Sequence, residues 1–229
     1  MALSGFCLTL SALRRETSLR EFFRRRARRI LPGYYVALAL CLALTALIPW
    51  LHVAHDERWA LALPAFSKGA LIPHLLLVHN LSPEWMFKID PPLWALAIEA
   101  QLYVAFALSF LPLYRRSGRL AVLCAGATLS FLPLLFLPHN SNLFWTCPWY
   151  ALIFCFGIIG AAWREKPIAQ KYARLLTGLL FLPFAAQVLA GDSWHAAHPI
   201  RTDLLTGLFV TSLMVAPPQR VVRFLESRP

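Results

Sequence analysis

Apolar residues fill this chain in runs of roughly 20, the length a helix needs to cross a bilayer core, and short polar connectors separate them. Candidate spans extend from about Leu31 to Trp50, Pro92 to Leu113, Leu120 to Pro138, Trp149 to Trp163, Leu175 to Leu189 and Leu204 to Ala216. The apolar start, Met1 to Leu13, is shorter than a span. A signal peptide carries its positive charge before its apolar run. Here the charge follows, so the segment reads as an incomplete span or a re-entrant piece. The pattern predicts an all-α, polytopic integral membrane bundle of six full transmembrane helices plus a truncated first one. It also predicts one membrane domain over residues 1–229, with a basic cytoplasmic loop at 14–29 and a non-cytoplasmic loop region at 51–91.

Composition agrees with a membrane setting: 59% of residues are hydrophobic, 14% are charged and the mean hydropathy is +0.58. A net charge of +11 raises the question of nucleic acid. The charge is divided among short loops beside spans, with no interleaved aromatic platform, so nucleic acid is not the expected partner. Orientation explains the charge better, because cytoplasmic loops collect Lys and Arg. Residues 14–29 hold eight arginines, 115–119 hold three, 164–174 hold four basic residues and 217–229 hold three. These alternate connectors take 18 of the 22 basic residues, leaving Arg58, Lys68, Lys88 and Arg201 for the other side. The expected location is the cell inner (plasma) membrane, crossed several times.

The same topology puts His52, His55, His74, His79, His139, His195 and His198 on or near the outer side. Trp50, Trp85, Trp94, Trp145 and Trp149 fall at outer ends of spans, where indole favours the headgroup region. Anchoring at the interface accounts for most of these residues.

Two features exceed what insertion and orientation require. Glu99 lies inside the span Pro92–Leu113, where a carboxylate costs about 2.5–3.5 kcal/mol on insertion scales and therefore faces a bundle interior or an aqueous cavity. Tyr103 lies four residues on, on the same helical face. The second feature is the run Arg24, Arg25, Arg26, Arg28 and Arg29. Arg25 with Arg28, and Arg26 with Arg29, stand three apart and present planar guanidinium forks suited to a polyphosphate. Anionic membrane lipid is the competing partner for this run. Pro32 and Gly33 are expected to mark where the basic helix turns into the span.

Other constellations carry less. His198 and Asp203 have the His-x4-Asp spacing of glycerolipid acyltransferases but fall on the outer side, and Pro199 interrupts the local helix. His52 with His55, and His195 with His198, offer two imidazoles each, too few for a metal site. Cys7, Cys41, Cys124, Cys147 and Cys155 lack Cys-x-x-Cys spacing; Cys147 alone is expected outside a span. Nucleophile-elbow, Walker and dinucleotide signatures do not occur in the sequence, which disfavours an esterase, an ATP-driven pump and a redox enzyme of the usual kinds. Nor are there the paired broken helices of an inverted-repeat transporter.

Three blocks in order resemble the acyltransferase-3 family of multi-pass membrane O-acyltransferases: Leu3-Ser4-Gly5-Phe6, then Phe22 to Tyr35 with its arginine run, then His74 to Leu81 followed by Pro91 to Tyr103. The resemblance implies acyl transfer, such as of acetyl, from acyl-CoA to a hydroxyl of a carbohydrate or of a lipid-linked or other exported molecule. Acyl-CoA is then a donor substrate, and no bound cofactor or metal is expected. By resemblance Arg26 and Arg29, or the overlapping Arg25 and Arg28, hold the CoA phosphates. Glu99 with Tyr103 serves the chemistry, and Trp94 contacts substrate. Family members carry an additional first helix with an Arg and a His base, which has no counterpart here, so this chain by itself is expected to be inactive. If it does transfer acetyl unaided, His74 or His79 is the expected base. The alternatives are an inactive fragment or partner subunit of such an enzyme, or a multi-pass transporter.

Overall fold

The computed structural model describes residues 1–15, 18–53, 60, 63, 67–136 and 146–217, except for the side chains of 52 and 192–195. Among the described residues there are helices and turns and no strand. The helices are α1 (Ala2–Arg14), α2 (Leu19–Leu47), α3 (Lys68–Leu75), α4 (Leu93–Ala105), α5 (Leu111–Phe136), α6 (Tyr150–Trp163), α7 (Pro167–Ala197) and α8 (Pro199–Val215). Short 3-10 turns occupy Pro49–His52 and His79–Leu81, and a π-turn, Phe106–Phe110, joins α4 to α5.

Three stretches are long and apolar enough to cross a membrane: Leu19–Leu47, Leu93–Phe136 and Pro167–Gly191. These stretches, counted among the described residues, hold parts of four of the six spans expected. The spans expected at Pro92–Leu113 and at Leu120–Pro138, the latter as far as Phe136, fall in the two halves of one helical stretch, bent at Gly118, whose φ of 79° lies in the left-handed region that glycine tolerates. The expected spans Trp149–Trp163 and Leu204–Ala216 fall in α6 and α8, of 14 and 17 residues.

The break expected at Pro32 is also not there, because α2 runs through Pro32 and Gly33 as one helix. Proline removes a single N–H from the ladder, and apolar helices absorb that loss by small local adjustment. Ser18 starts α2: its hydroxyl accepts from the Glu21 N–H at 3.2 Å, the Ser-x-x-Glu arrangement that satisfies an orphan donor of the first turn. The 14–29 segment is thus largely the first turns of a membrane-length helix rather than a loop.

The chain forms two compact units, Met1–Glu16 with Ser109–Leu132 and Trp149–Pro229, and Thr17–Leu108 with Pro133–Pro148. In the first unit, α1 and α6 meet backbone to backbone. A Cβ on Gly157 would strike the Ala2 carbonyl oxygen and one on Gly5 the Phe154 carbonyl, so only glycine permits this approach. At Gly207 a Cβ would come 2.8 Å from Ile153 Cγ2. Few polar groups enter. The Ser130 hydroxyl accepts the Leu152 N–H at 3.0 Å, capping the start of α6 from α5, and Trp149 Nε1 donates to Asp203 Oδ2 at 2.8 Å. That bond gives Asp203 a packing role and accounts for its place after His198 without chemistry.

The second unit is built from α2, α3 and α4. The stripe Phe22, Arg26, Ile30, Tyr34 and Leu38, spaced by four, forms one face of α2, and Ile30, Tyr34 and Leu38 are buried. Tyr34 and Tyr35 donate to the carbonyls of His74 and Leu75 at 2.7 and 2.8 Å, satisfying the last carbonyls of α3. Beyond them Leu77 takes φ 55°, Leu77 N–H returns to His74 O and Val78 N–H to Pro73 O. This is a Schellman ending with leucine where glycine is the usual occupant.

Candidate active site

Helix α4 carries polar groups on two faces of an otherwise apolar cylinder. Glu99 and Tyr103, four apart, share one face, and Gln101 lies about 200° around the helix from Glu99. Each face has its own partners within the second unit.

On the first face, the buried Tyr103 hydroxyl donates to Glu99 Oε1 at 2.5 Å, the short range of a charge-assisted O–H to carboxylate bond. The Arg26 guanidinium lies over the same ring, its Cζ 5.6 Å from the Tyr103 centroid and 5.8 Å from that of Phe22. Both distances are within cation–π reach. Phe22 stacks in turn on Phe106 at 5.9 Å. One guanidinium, one phenol and one carboxylate are thereby aligned, joining the arginine run of α2 to the carboxylate of α4.

The other arginines of the run are exposed. Arg25 pairs with Glu21 at 3.6 Å, an exposed i,i+4 contact of little worth for stability. Arg24, Arg28 and Arg29 face solvent or the headgroup layer. Of the four expected phosphate ligands, Arg26 lies over the Tyr103 ring, and Arg25, Arg28 and Arg29 are exposed.

On the second face, Gln101 donates from Nε2 to Asn80 Oδ1 at 2.7 Å and to the Leu77 carbonyl at 3.1 Å, and Asn80 Nδ2 returns to Gln101 Oε1 at 3.2 Å. This amide pair holds the turn that follows α3, including the left-handed Leu77. Inside the turn, the imidazoles of His74 and His79 stack 3.9 Å apart with 9° between planes, both fully buried. His74 Nδ1 lies 2.7 Å from Ala70 O, which makes Nδ1 the protonated nitrogen of the neutral ring. His74 Nε2 and both ring nitrogens of His79 are buried without a hydrogen-bond partner.

This turn lies outside the three membrane-length stretches. Burial, then the adjacent His74 ring, pushes His79 down from the ordinary 6.5 to about 4, with the Leu93 and Pro73 backbone offsetting part of the effect. Burial also lowers His74, against the smaller opposing influence of the Ala70 and Lys88 backbone and of Asp90. Both rings are neutral near pH 7, the form that accepts a proton.

The two clusters are separate. His79 approaches the Leu93 backbone, which lies six residues, about 9 Å of helix rise, from Glu99. Neither imidazole hydrogen-bonds Glu99. Trp94 is half-exposed in the first turn of α4 and about 140° around the helix from Glu99, so it does not share the Glu99–Tyr103 face. Cys147 is half-buried, and among the described residues no group of three metal-ligating side chains converges. His55 and His139 lie outside the described residues, as do the side chains of His52 and His195.

Three positioning residues escaped the sequence reading: Phe22, Tyr34 and Gln101. Gln101 had a signal, since it is a second polar residue in the same apolar span, two positions past Glu99. Tyr34 stands on the Arg26 stripe at i+8, a spacing visible in the sequence once that stripe is known to face inward.

No curated protein and no solved structure matches the chain. A family model described as an acyltransferase domain, Acyl_transf_3, matches residues 1–219. With its membrane-length helices and the ordered blocks that surround Arg26, His79 and Glu99, the chain belongs to the acyltransferase-3 family of membrane acyltransferases.

Proposed function

We propose that the chain, with His79 or His74 in place of the base that the resemblance puts on an additional first helix, moves an acyl group, such as acetyl, from acyl-CoA to a hydroxyl of a carbohydrate or a lipid-linked exported molecule. The observation that carries this reading is the Arg26–Tyr103–Glu99 alignment, which sets a phosphate-binding side-chain type beside a carboxylate equipped to carry a proton. Arg26 with Arg29, or Arg25 with Arg28, receives the phosphates of CoA at the cytoplasmic end of α2. The acceptor oxygen attacks the thioester carbon, the carbon–sulfur bond breaks and an ester forms. His79 or His74 takes the hydroxyl proton on the acceptor side, and the Glu99 carboxylate, held by Tyr103, takes that proton on and passes it to the departing thiolate. Trp94 flanks the acceptor. Neither a resident cofactor nor a metal takes part.

The membrane arrangement in this reading is a single domain in the inner (plasma) membrane with six crossings and a partial first one. Its 14–29 segment faces the cytoplasm, and most of 51–91 faces away.

Acetyl-CoA consumption by vesicles carrying the chain tests the proposal. Free CoA should appear faster than in empty vesicles, and Glu99→Gln, which keeps size and hydrogen bonding, should slow it by about 10²–10⁴-fold, the usual worth of general acid–base catalysis. Release that persists unchanged in Glu99→Gln overturns the assignment.

A further inference from the structure

The first unit contains an open cavity of about 280 Å³ that the acyl-transfer reading does not use. It runs between α6, α7 and α8, and its walls include Phe156, Gly160, Trp163, Ala173, Leu208 and Val215, none of them charged. Gly160 gives it depth, since a Cβ there would meet Thr211 Cγ2 at 2.8 Å. The groove ends where α6 stops at Trp163 and α7 begins at Pro167.

Positive charge gathers at that end. The Arg119 guanidinium lies over the Trp163 ring, 5.3 Å from its centroid. Lys166 follows three residues later, its N–H bonded to the Trp163 carbonyl at 2.9 Å, and both side chains are exposed. Arg164, Lys171 and Arg174 add to the charge, with Glu165 the local acid. An apolar trough with a cationic mouth and an indole at the junction is complementary to an amphiphile with an anionic head. A free anion leaves the trough empty, and a zwitterionic lipid leaves the cations without net partners.

We propose that this groove is a binding site for an anionic phospholipid, one acyl chain lying along α6–α8 and the headgroup held by Arg119 and Lys166. The site is distinct from the Glu99 cluster and stands whether or not acyl transfer does.

Bilayers with bromine on the acyl chains of either phosphatidylglycerol or phosphatidylcholine provide the test, because bromine quenches nearby indole. The Trp163 contribution is the difference between the unmodified chain and Trp163→Phe. Phosphatidylglycerol should quench it at roughly tenfold lower mole fraction than phosphatidylcholine, two basic side chains each favouring anionic lipid several-fold. Arg119→Gln with Lys166→Gln should bring the two lipids together, and Ala173→Phe, which fills the groove, should remove quenching by both. Equal quenching of the unmodified chain by the two lipids reduces the groove to ordinary lipid contact and overturns the proposal. So does an unquenched Trp163, as expected if a second copy of the chain or another protein covers the groove.

Discussion

The two compact units solve the problem of holding helices together by opposite means. The first rests on missing side chains where α1 meets α6: Gly5 and Gly157 let backbone meet backbone, Gly207 brings α8 close to Ile153, and polar pairs such as Thr177–Ser212, Gln187–Thr206 and Trp149–Asp203 pin the later helices. The second relies on polar groups: Tyr34, Tyr35, Gln101 and Asn80 hydrogen-bond between elements, Arg26 of α2 lies over Tyr103 of α4, which bonds Glu99 within its own helix, and Leu77 and Ile89 take left-handed φ values that leucine and isoleucine disfavour. Strained backbone and buried imidazole nitrogens without a hydrogen bond, His74 Nε2 and both of His79, persist only where surrounding structure enforces them. In the proposed function the contrast divides scaffold from chemistry: close packing gives rigidity at low cost, whereas polar burial costs stability and is kept where a reaction needs it.

The contrast breaks most visibly at Gly157. Gly157→Leu forces a side chain into the Ala2 backbone, and overpacking against backbone that cannot yield should cost about 3 kcal/mol or more. A sharp loss of melting temperature in detergent checks this. Equal stability would mean that α1 and α6 are not locked by close approach.

The next effect belongs to the second unit and depends on pH. His79 is held at about 4 in the folded chain against 6.5 when unfolded, so between those values the unfolded chain binds more protons and stability rises with pH. The contribution is fully present above about pH 6.5 and is lost as pH falls toward 4, about 3 kcal/mol in all. His79→Phe keeps a flat ring over His74 and should flatten that part of the curve of melting temperature against pH. His74, which Asp90 partly counters, supplies the slope that remains. An unaltered curve would show that the buried pair is not what titrates.

The smallest effect is local. Ser18→Ala removes the cap of α2 and should cost about 1 kcal/mol. A larger loss would reveal that the start of α2 positions Arg26 as well as beginning a helix.

Much of this architecture was legible in the sequence because hydropathy reports helices in apolar surroundings directly. The connector at 115–119 appears as the bend at Gly118. Span count was less legible, since α6 stops at 14 residues, ahead of Arg164, Glu165 and Lys166, and α8 at 17. Pro32 misled because the packing of Ile30, Tyr34 and Leu38 on either side of it, a tertiary matter, carries the helix through. Glu99 and Tyr103 could be paired from spacing alone, because i and i+4 contacts are local. Which arginine faces Tyr103 is a tertiary matter between α2 and α4. The burial of Ile30, Tyr34 and Leu38 selects Arg26 only after the inward face is known. The stacked His74 and His79 depend on a left-handed leucine, for which no sequence pattern exists.

In the proposed function Arg26, Tyr103 and Glu99 act as one unit, and a double-mutant cycle on acetyl-CoA consumption measures the coupling. Arg26→Gln and Tyr103→Phe should each slow the reaction. Together they should slow it by clearly less than the product of the two effects, with a coupling of about 0.5–3 kcal/mol, because either change alone already breaks the alignment. Effects that multiply would show that the arginine and the phenol work independently, and would contradict the account.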